Sequence, residues 1–124
     1  MNIHQLHEYY SLNGGAIKSF HLDIQNNTAE IELLVSRDSN GKLLVGRLNE
    51  NDMVPCTIRL TFQDLIEASL FDKFPTQGHY LNCSLFGNNG EEVGMSFNVH
   101  DNASYIYEKD NWVVRAKWMG WKEI

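Results

Sequence analysis

Residues 17–35, IKSFHLDIQNNTAEIELLV, decide the fold class because apolar and polar side chains alternate on both sides of a central Asn pair. The apolar residues at alternate positions are Phe20, Leu22, Ile24, Ala29, Ile31, Leu33 and Val35. A period of two places these side chains on one buried face and the polar ones in water, which is typical of antiparallel strands. Asn26 and Asn27 tolerate the positive φ of a tight turn, so the stretch predicts a β-hairpin.

The same period recurs further along the chain. It is carried by the apolar sets Cys56, Ile58, Leu60, Phe62; Leu81, Cys83, Leu85; Val93, Met95, Phe97, Val99; and Trp112, Val114, Ala116, Trp118. Short turns rich in Gly, Asn and Pro separate the stretches, and no helix of crossover length lies between them. We therefore predict a single mainly β (α+β) domain over 1–124, an antiparallel meander of about eight short strands that is barrel-like or sandwich-like. No long sequence repeat relates the hairpins.

Two short segments depart from the strand period and predict helices. Residues 4–12 place apolar side chains partly on one side and end just before two glycines, which favour a helix end. Over about 64–71 the apolar residues recur at spacings of three and four, which predicts a second short helix. Eight residues at this spacing are also compatible with a strand.

Composition restricts the compartment and the partners. The chain has 124 residues, 10 Lys and Arg against 16 Asp and Glu, and a net charge of −6. Binding to a phosphate backbone depends on many cations, so we expect no nucleic-acid partner. No stretch has the ~20 apolar residues of a membrane span, and the first residues lack the features of a secretory signal, so we expect a cytoplasmic protein without membrane contact. Cys56 and Cys83 share strand faces with apolar residues and are predicted to be buried, reduced thiols.

Two small groups of residues have the chemistry of a metal or catalytic site. His4, His7 and Glu8 share one face of the first predicted helix, but their spacing matches no zinc motif, so we predict no metal and no cofactor. His21 and Asp23 are neighbours on the polar side of the first strand, where a carboxylate orients an imidazole for acid–base work. No nucleophile at a strained turn accompanies them, and an enzyme is therefore the third alternative.

Acidic residues concentrate in the larger part of the chain. Residues 1–108 contain six Lys and Arg against fourteen Asp and Glu, whereas residues 109–124 contain four against two. The polar sides of the first two strands contain Asp23, Glu30 and Glu32. This pattern predicts an acidic sheet face. Such a face steers association with a basic protein partner.

The last ten residues, 115–124, RAKWMGWKEI, combine aromatic and basic side chains. Trp118 is in register with Val114 and is predicted to lie in the core, whereas Trp121 is predicted to be exposed and to join the binding face. An alternative is a concave site for a small molecule or carbohydrate, lined by Tyr105, Tyr107, Trp112 and Trp118.

The order of these features resembles the small acidic bacterial immunity proteins of polymorphic-toxin systems. Three segments suggest it: residues 17–35, residues 57–70 (TIRLTFQDLIEASL) and residues 105–118 (YIYEKDNWVVRAKW). The resemblance implies that the chain binds and occludes a cognate toxin and performs no catalysis. No position matches a defined site, so no residue roles follow from it. A homodimer formed through an open sheet edge is a further alternative.

Overall fold

The computed structural model describes residues 3–44, 52–69, 80–100 and 111–124, without the side chains of 3–4, 13–14, 80–83, 98–100 and 111. A helix, α1 (Ile3–Tyr9), precedes the strands β1 (Tyr10–Asp23), β2 (Thr28–Asp38), β3 (Met53–Ser69), β4 (Tyr80–Asn88), β5 (Glu92–His100) and β6 (Asn111–Glu123). The mainly β prediction is confirmed. The first predicted helix is correct up to residue 9, and residues 10–12 already belong to β1.

The described strands form one antiparallel sheet in the order β1-β2-β3-β6-β5-β4. Its edge strands, β1 and β4, lie against each other, but the sheet does not close into a barrel. The strands have between 9 and 17 residues, longer than the short strands that the sequence predicted. The sheet therefore curls around its own inner face.

The inner face of this sheet, together with α1, contains the hydrophobic core. The buried apolar residues are Leu6, Tyr10, Leu12, Ala29, Ile31, Leu33, Val35, Ile58, Leu60, Phe62, Val93, Met95, Phe97, Trp112, Val114, Ala116 and Met119. Phe20 on β1 meets Trp112 on β6 edge-to-face with ring centroids 5.3 Å apart, so the core spans the curl. Each fully buried large apolar side chain contributes about 1.5–3 kcal/mol.

The sheet consists of two similar three-stranded meanders, β1-β2-β3 and β4-β5-β6, joined by the pairing of β3 with β6. Corresponding core pairs occupy the same places: Ala29–Phe62, Ile31–Leu60 and Leu33–Ile58 match Val93–Ala116, Met95–Val114 and Phe97–Trp112. No repeat was predicted, because equivalent positions hold apolar residues of different size. The fold therefore contains a structural repeat that the sequence does not display.

In both central strands, β3 and β6, the alternation of buried and exposed side chains shifts by one residue at the same level of the sheet. We call this shift the phase change. Buried residues are three apart there, Phe62 followed by the half-buried Leu65 on β3 and Ala116 followed by Met119 on β6. Asp64 lies between with φ 57°. The predicted helix over 64–71 is wrong: residues 64–69 belong to β3, and 70–71 lie outside the described residues. The error arose because a spacing of three between buried residues resembles a helical period.

An Asn from each hairpin turn fixes the phase change. Asn27 accepts from the Leu65 amide through its carbonyl at 3.2 Å and donates its Nδ2 to the Leu65 carbonyl at 3.2 Å. Asn89 donates its Nδ2 to the Met119 carbonyl at 3.0 Å, and its Oδ1 accepts from the Met119 amide at 2.9 Å. The two turns therefore take the place of the strand pairing that is interrupted at these levels.

The phase change also exchanges the two C-terminal tryptophans. Trp118 was predicted to continue the buried series after Ala116, but it is 48% exposed. Trp121 was predicted to be exposed, but it is half-buried and packs against the core. Both predictions are wrong for the same reason, since a slip of one residue moves every following side chain to the opposite face.

Candidate functional site

The candidate site is the outer face of the four strands β1, β2, β3 and β6, which we call the outer face. Strand register places twelve outward residues on it: Ser19, His21, Asp23, Thr28, Glu30, Glu32, Arg59, Thr61, Gln63, Trp118, Gly120 and Lys122. Neighbouring strands are about 4.8 Å apart and successive outward residues about 6.8 Å apart, so these side chains form a compact grid.

Trp118 is the large aromatic residue of the outer face. Its six-membered ring lies over Gly90, where a Cβ would be 3.7 Å from the indole Cη2. The Gly90 amide donates to the Lys117 carbonyl at 2.8 Å, and Asn89 holds the backbone of Met119 on the other side. The indole is therefore half-exposed on a backbone that is hydrogen-bonded on both sides of it.

The outer face carries charges of both signs. Arg59 donates from Nε and Nη2 to Glu32 Oε1 at 3.2 and 2.8 Å, and this carboxylate raises the pKa of the guanidinium. Glu30 is exposed and makes no ion pair within the described part of the chain. Lys122 lies opposite Arg59 on β6. The face is mixed rather than uniformly acidic, with its carboxylates on β1 and β2 and its Arg and Lys side chains on β3 and β6.

Asp23 has a local structural task at the edge of the outer face. Its carboxylate accepts from the Asn26 amide at 3.1 Å and from the Asn26 Nδ2 at 2.7 Å. These hydrogen bonds lower the pKa of Asp23, and the charge of His21 has a smaller effect in the same direction. The predicted His21–Asp23 pair is therefore adjacent, but its carboxylate mainly holds the β1–β2 turn.

The four residues predicted to bind a partner are only partly brought together. Asp23, Glu30 and Glu32 lie on the outer face, whereas Trp121 lies on the opposite side of the sheet. Its indole meets the Tyr10 ring edge-to-face at 5.4 Å. Trp118 replaces it as the exposed aromatic of the face.

The predicted aromatic ligand site does not form from the residues that the structure describes. Trp112 is 4% exposed in the core, and Trp118 lies on the other face of β6. Tyr105 and Tyr107 lie outside the described residues. A ligand site of this class would depend on Trp118 and its surface neighbours.

The predicted metal candidates lie on and beside α1. The His4 side chain is outside the described part of the structure, and His7 and Glu8 are exposed. The Glu8 carbonyl accepts from the Leu44 amide at 2.9 Å and so joins α1 to the chain after β2. No group of three His, Cys, Asp or Glu side chains suited to a metal ion occurs among the side chains described.

Sequence reasoning missed a polar cluster at the α1 end of the sheet. The Glu123 carboxylate accepts from Arg37 Nε at 2.6 Å and from the Tyr10 hydroxyl at 3.2 Å, and it also interacts with the Cys56 thiol. The four residues are far apart in the sequence and only strand register brings them together. No sequence motif marked the cluster.

The electrostatics of this cluster indicate a clamp rather than a nucleophile. Burial, reinforced by the Glu123 charge, raises the pKa of Cys56 to about 11, and the same two causes raise that of Tyr10 to about 12. Hydrogen bonding to Arg37 is the main cause that lowers the pKa of Glu123. The thiol is therefore protonated near neutral pH, and the carboxylate fastens β6 to the first two strands.

The only helix in the described residues, α1, has seven residues and is too short to cross a membrane. Comparison of the chain with protein-family models, with curated protein sequences and with solved structures gave no match.

Proposed function

We propose that this chain acts by binding another protein through its outer face, as an immunity-type inhibitor of a bacterial toxin, and performs no catalysis. The observation that supports a binding role is Trp118, an indole 48% exposed on a sheet whose backbone is fixed on both sides. The immunity-type role extends this proposal through the sequence resemblance.

An exposed tryptophan on a rigid element is suited to a protein interface. Tryptophan is enriched among the few interface residues that contribute most of the binding free energy. Truncation of such a residue to alanine costs about 2 kcal/mol or more. A rigid indole loses little conformational entropy when a partner covers it. The surrounding charges of both signs supply the polar rim that fixes orientation.

The binding role is tested with the protein products of the genes that flank the one encoding this chain, by isothermal titration calorimetry and, for a product that is a toxin, by protection of cells that express it. We expect the Trp118→Ser variant to bind at least about tenfold more weakly and to protect less. Leu43→Ser is the matched control, because Leu43 is also 48% exposed but belongs to no strand of the outer face, and its neighbour Leu44 donates its amide to the Glu8 carbonyl on α1. Its affinity should stay within about twofold of the parent chain.

The proposal would be withdrawn if the parent chain neither bound any of these products nor neutralised a toxin among them. Equal losses in both variants would remove the outer face from the proposal. Binding of oligosaccharides that depends on Trp118, in the absence of any protein partner, would favour the carbohydrate alternative instead.

A further inference from the structure

Gly120 is a glycine that the fold does not require. It lies inside β6, its φ is not positive, and a Cβ built on it would have no neighbour within 4 Å. A glycine within a strand costs roughly 0.5–1 kcal/mol relative to alanine and contributes no side-chain packing. A residue that is unfavourable for its secondary structure and has no structural reason is typical of a functional position.

The other glycines for which the structure describes the surroundings of a Cβ have structural reasons. A Cβ at Gly15 would overlap the Leu34 carbonyl oxygen, and one at Gly94 would overlap the Phe86 ring. Gly87 and Gly90 have positive φ, as does Gly41, for which glycine is favoured. Among the glycines compared in this way, Gly120 therefore differs in having neither a close neighbour nor a left-handed backbone.

The missing side chain leaves a gap on the outer face, which we call the Gly120 gap. Its floor is Gly120 with its cross-strand partner Thr61, and Trp118 stands on one side of it, two residues away on the same strand. Glu30 is the cross-strand partner of Thr61 on β2. Across two strand spacings Glu30 is about 10 Å from Gly120. One long side chain together with a hydrogen bond from its end spans this distance.

We propose that the Gly120 gap receives an arginine side chain of the protein partner, with its stem against Trp118 and its guanidinium directed to Glu30. This proposal depends on the protein-binding role proposed above. Arginine suits the gap because its long apolar stem covers apolar surface such as Trp118 while its planar guanidinium donates paired hydrogen bonds to a carboxylate.

Charge complementarity directs the cation toward β2. Glu32 is already neutralised by Arg59, whereas Glu30 has no ion pair within the described residues. Arg59 and Lys122 flank the far side of the gap and repel a second cation there. The partner's guanidinium is therefore directed to the Glu30 side, because Arg59 gives its hydrogen bonds to Glu32 and its charge acts on Glu30 more weakly than on Glu32.

The gap is tested on the free protein by titrating the ¹⁵N-labelled chain with N-acetyl-arginine amide and with its neutral isostere, N-acetyl-citrulline amide, at constant ionic strength. We expect saturable shifts of the Gly120 amide and the Trp118 indole N–H, at least about fivefold larger with the arginine probe. Glu30→Gln and Gly120→Thr should each abolish the saturable shifts. Glu8→Gln removes an exposed carboxylate from α1, which is not part of the outer face, and should leave them unchanged.

Gly120→Thr also separates a functional role from a structural one. Because open space surrounds Gly120, the variant should fold and be at least as stable to urea as the parent chain. Equal shifts with both probes, or shifts that persist in the Glu30→Gln and Gly120→Thr variants, would overturn the proposal, as would loss of stability in Gly120→Thr. Such a result leaves the Trp118→Ser binding test valid, so the two proposals fail separately.

Discussion

Replacement of Asn89 by alanine tests whether the hairpin turns fix the phase change of the central strands. The side chain of Asn89 exchanges two hydrogen bonds with the Met119 backbone, at 2.9 and 3.0 Å, and Met119 is 4% exposed. A hydrogen bond contributes about 1 kcal/mol net, and an unsatisfied buried group costs about 1–3 kcal/mol. Water reaches this turn because Asn89 itself is exposed, so we expect a total loss of about 2–3 kcal/mol.

The measurement is urea unfolding followed by circular dichroism. We expect a lower midpoint at an unchanged m-value, because the variant exposes no additional surface on unfolding. Asn88→Ala is the matched control, since the Asn88 side chain makes no hydrogen bond within the described residues, and its effect should stay below about 0.5 kcal/mol. Equal effects of the two substitutions, or a loss below about 0.5 kcal/mol for Asn89→Ala, would refute the role given to Asn89.

Three further predictions concern the clamp and the core. Alkylation of Cys56 at pH 8 should be slow in the parent chain and faster in Glu123→Gln, because the variant removes a charge that raises the thiol pKa, as peptide mapping by mass spectrometry will show. Hydrogen bonding to Arg37 lowers the pKa of Glu123 in the folded state, so this carboxylate stabilises the fold above its ordinary pKa of 4.5. The difference in unfolding free energy between the parent chain and Glu123→Gln should therefore shrink as the pH falls below that value. Urea titrations at pH 7, 5, 4 and 3 measure this difference. Phe62→Ala should cost about 3–5 kcal/mol in the same assay, because Phe62 is fully buried; a loss below 1 kcal/mol would contradict the assigned core.

The alternation of apolar residues was sufficient to predict much of the sheet. The buried sets of β2 and β3, from Ala29 to Val35 and from Ile58 to Phe62, follow the predicted period, as does Val93 to Phe97 on β5. These strands lie at or near the middle of the sheet with one face in the core, so burial and strand period coincide. Sequence predicts the face of a strand well where no bulge interrupts it.

The wrong predictions for 64–71 and for the two C-terminal tryptophans come from one tertiary feature. Asp64 adopts φ 57° beside a turn that docks through Asn27, and the neighbouring strand slips at the same level beside Asn89. Neither slip is visible locally, because the hydrogen bonds that stabilise it come from residues distant in the sequence. The exposed position of Trp118, on which the binding proposal depends, is a direct result of the slip and was therefore inaccessible to sequence reasoning.

The structural repeat gives an internal comparison for the Gly120 gap. Leu65 and Met119 are equivalent, since each receives the Asn of its own hairpin turn, and the residues that follow them are Ile66 and Gly120. Ile66 is a large exposed side chain, so the fold accepts bulk at this position of the repeat. The two meanders thus share their core pairs and turn contacts but differ where the backbone is left bare. The two meanders therefore differ at an exposed position and agree in the core. This is the pattern expected if the gap binds a partner and has no role in folding.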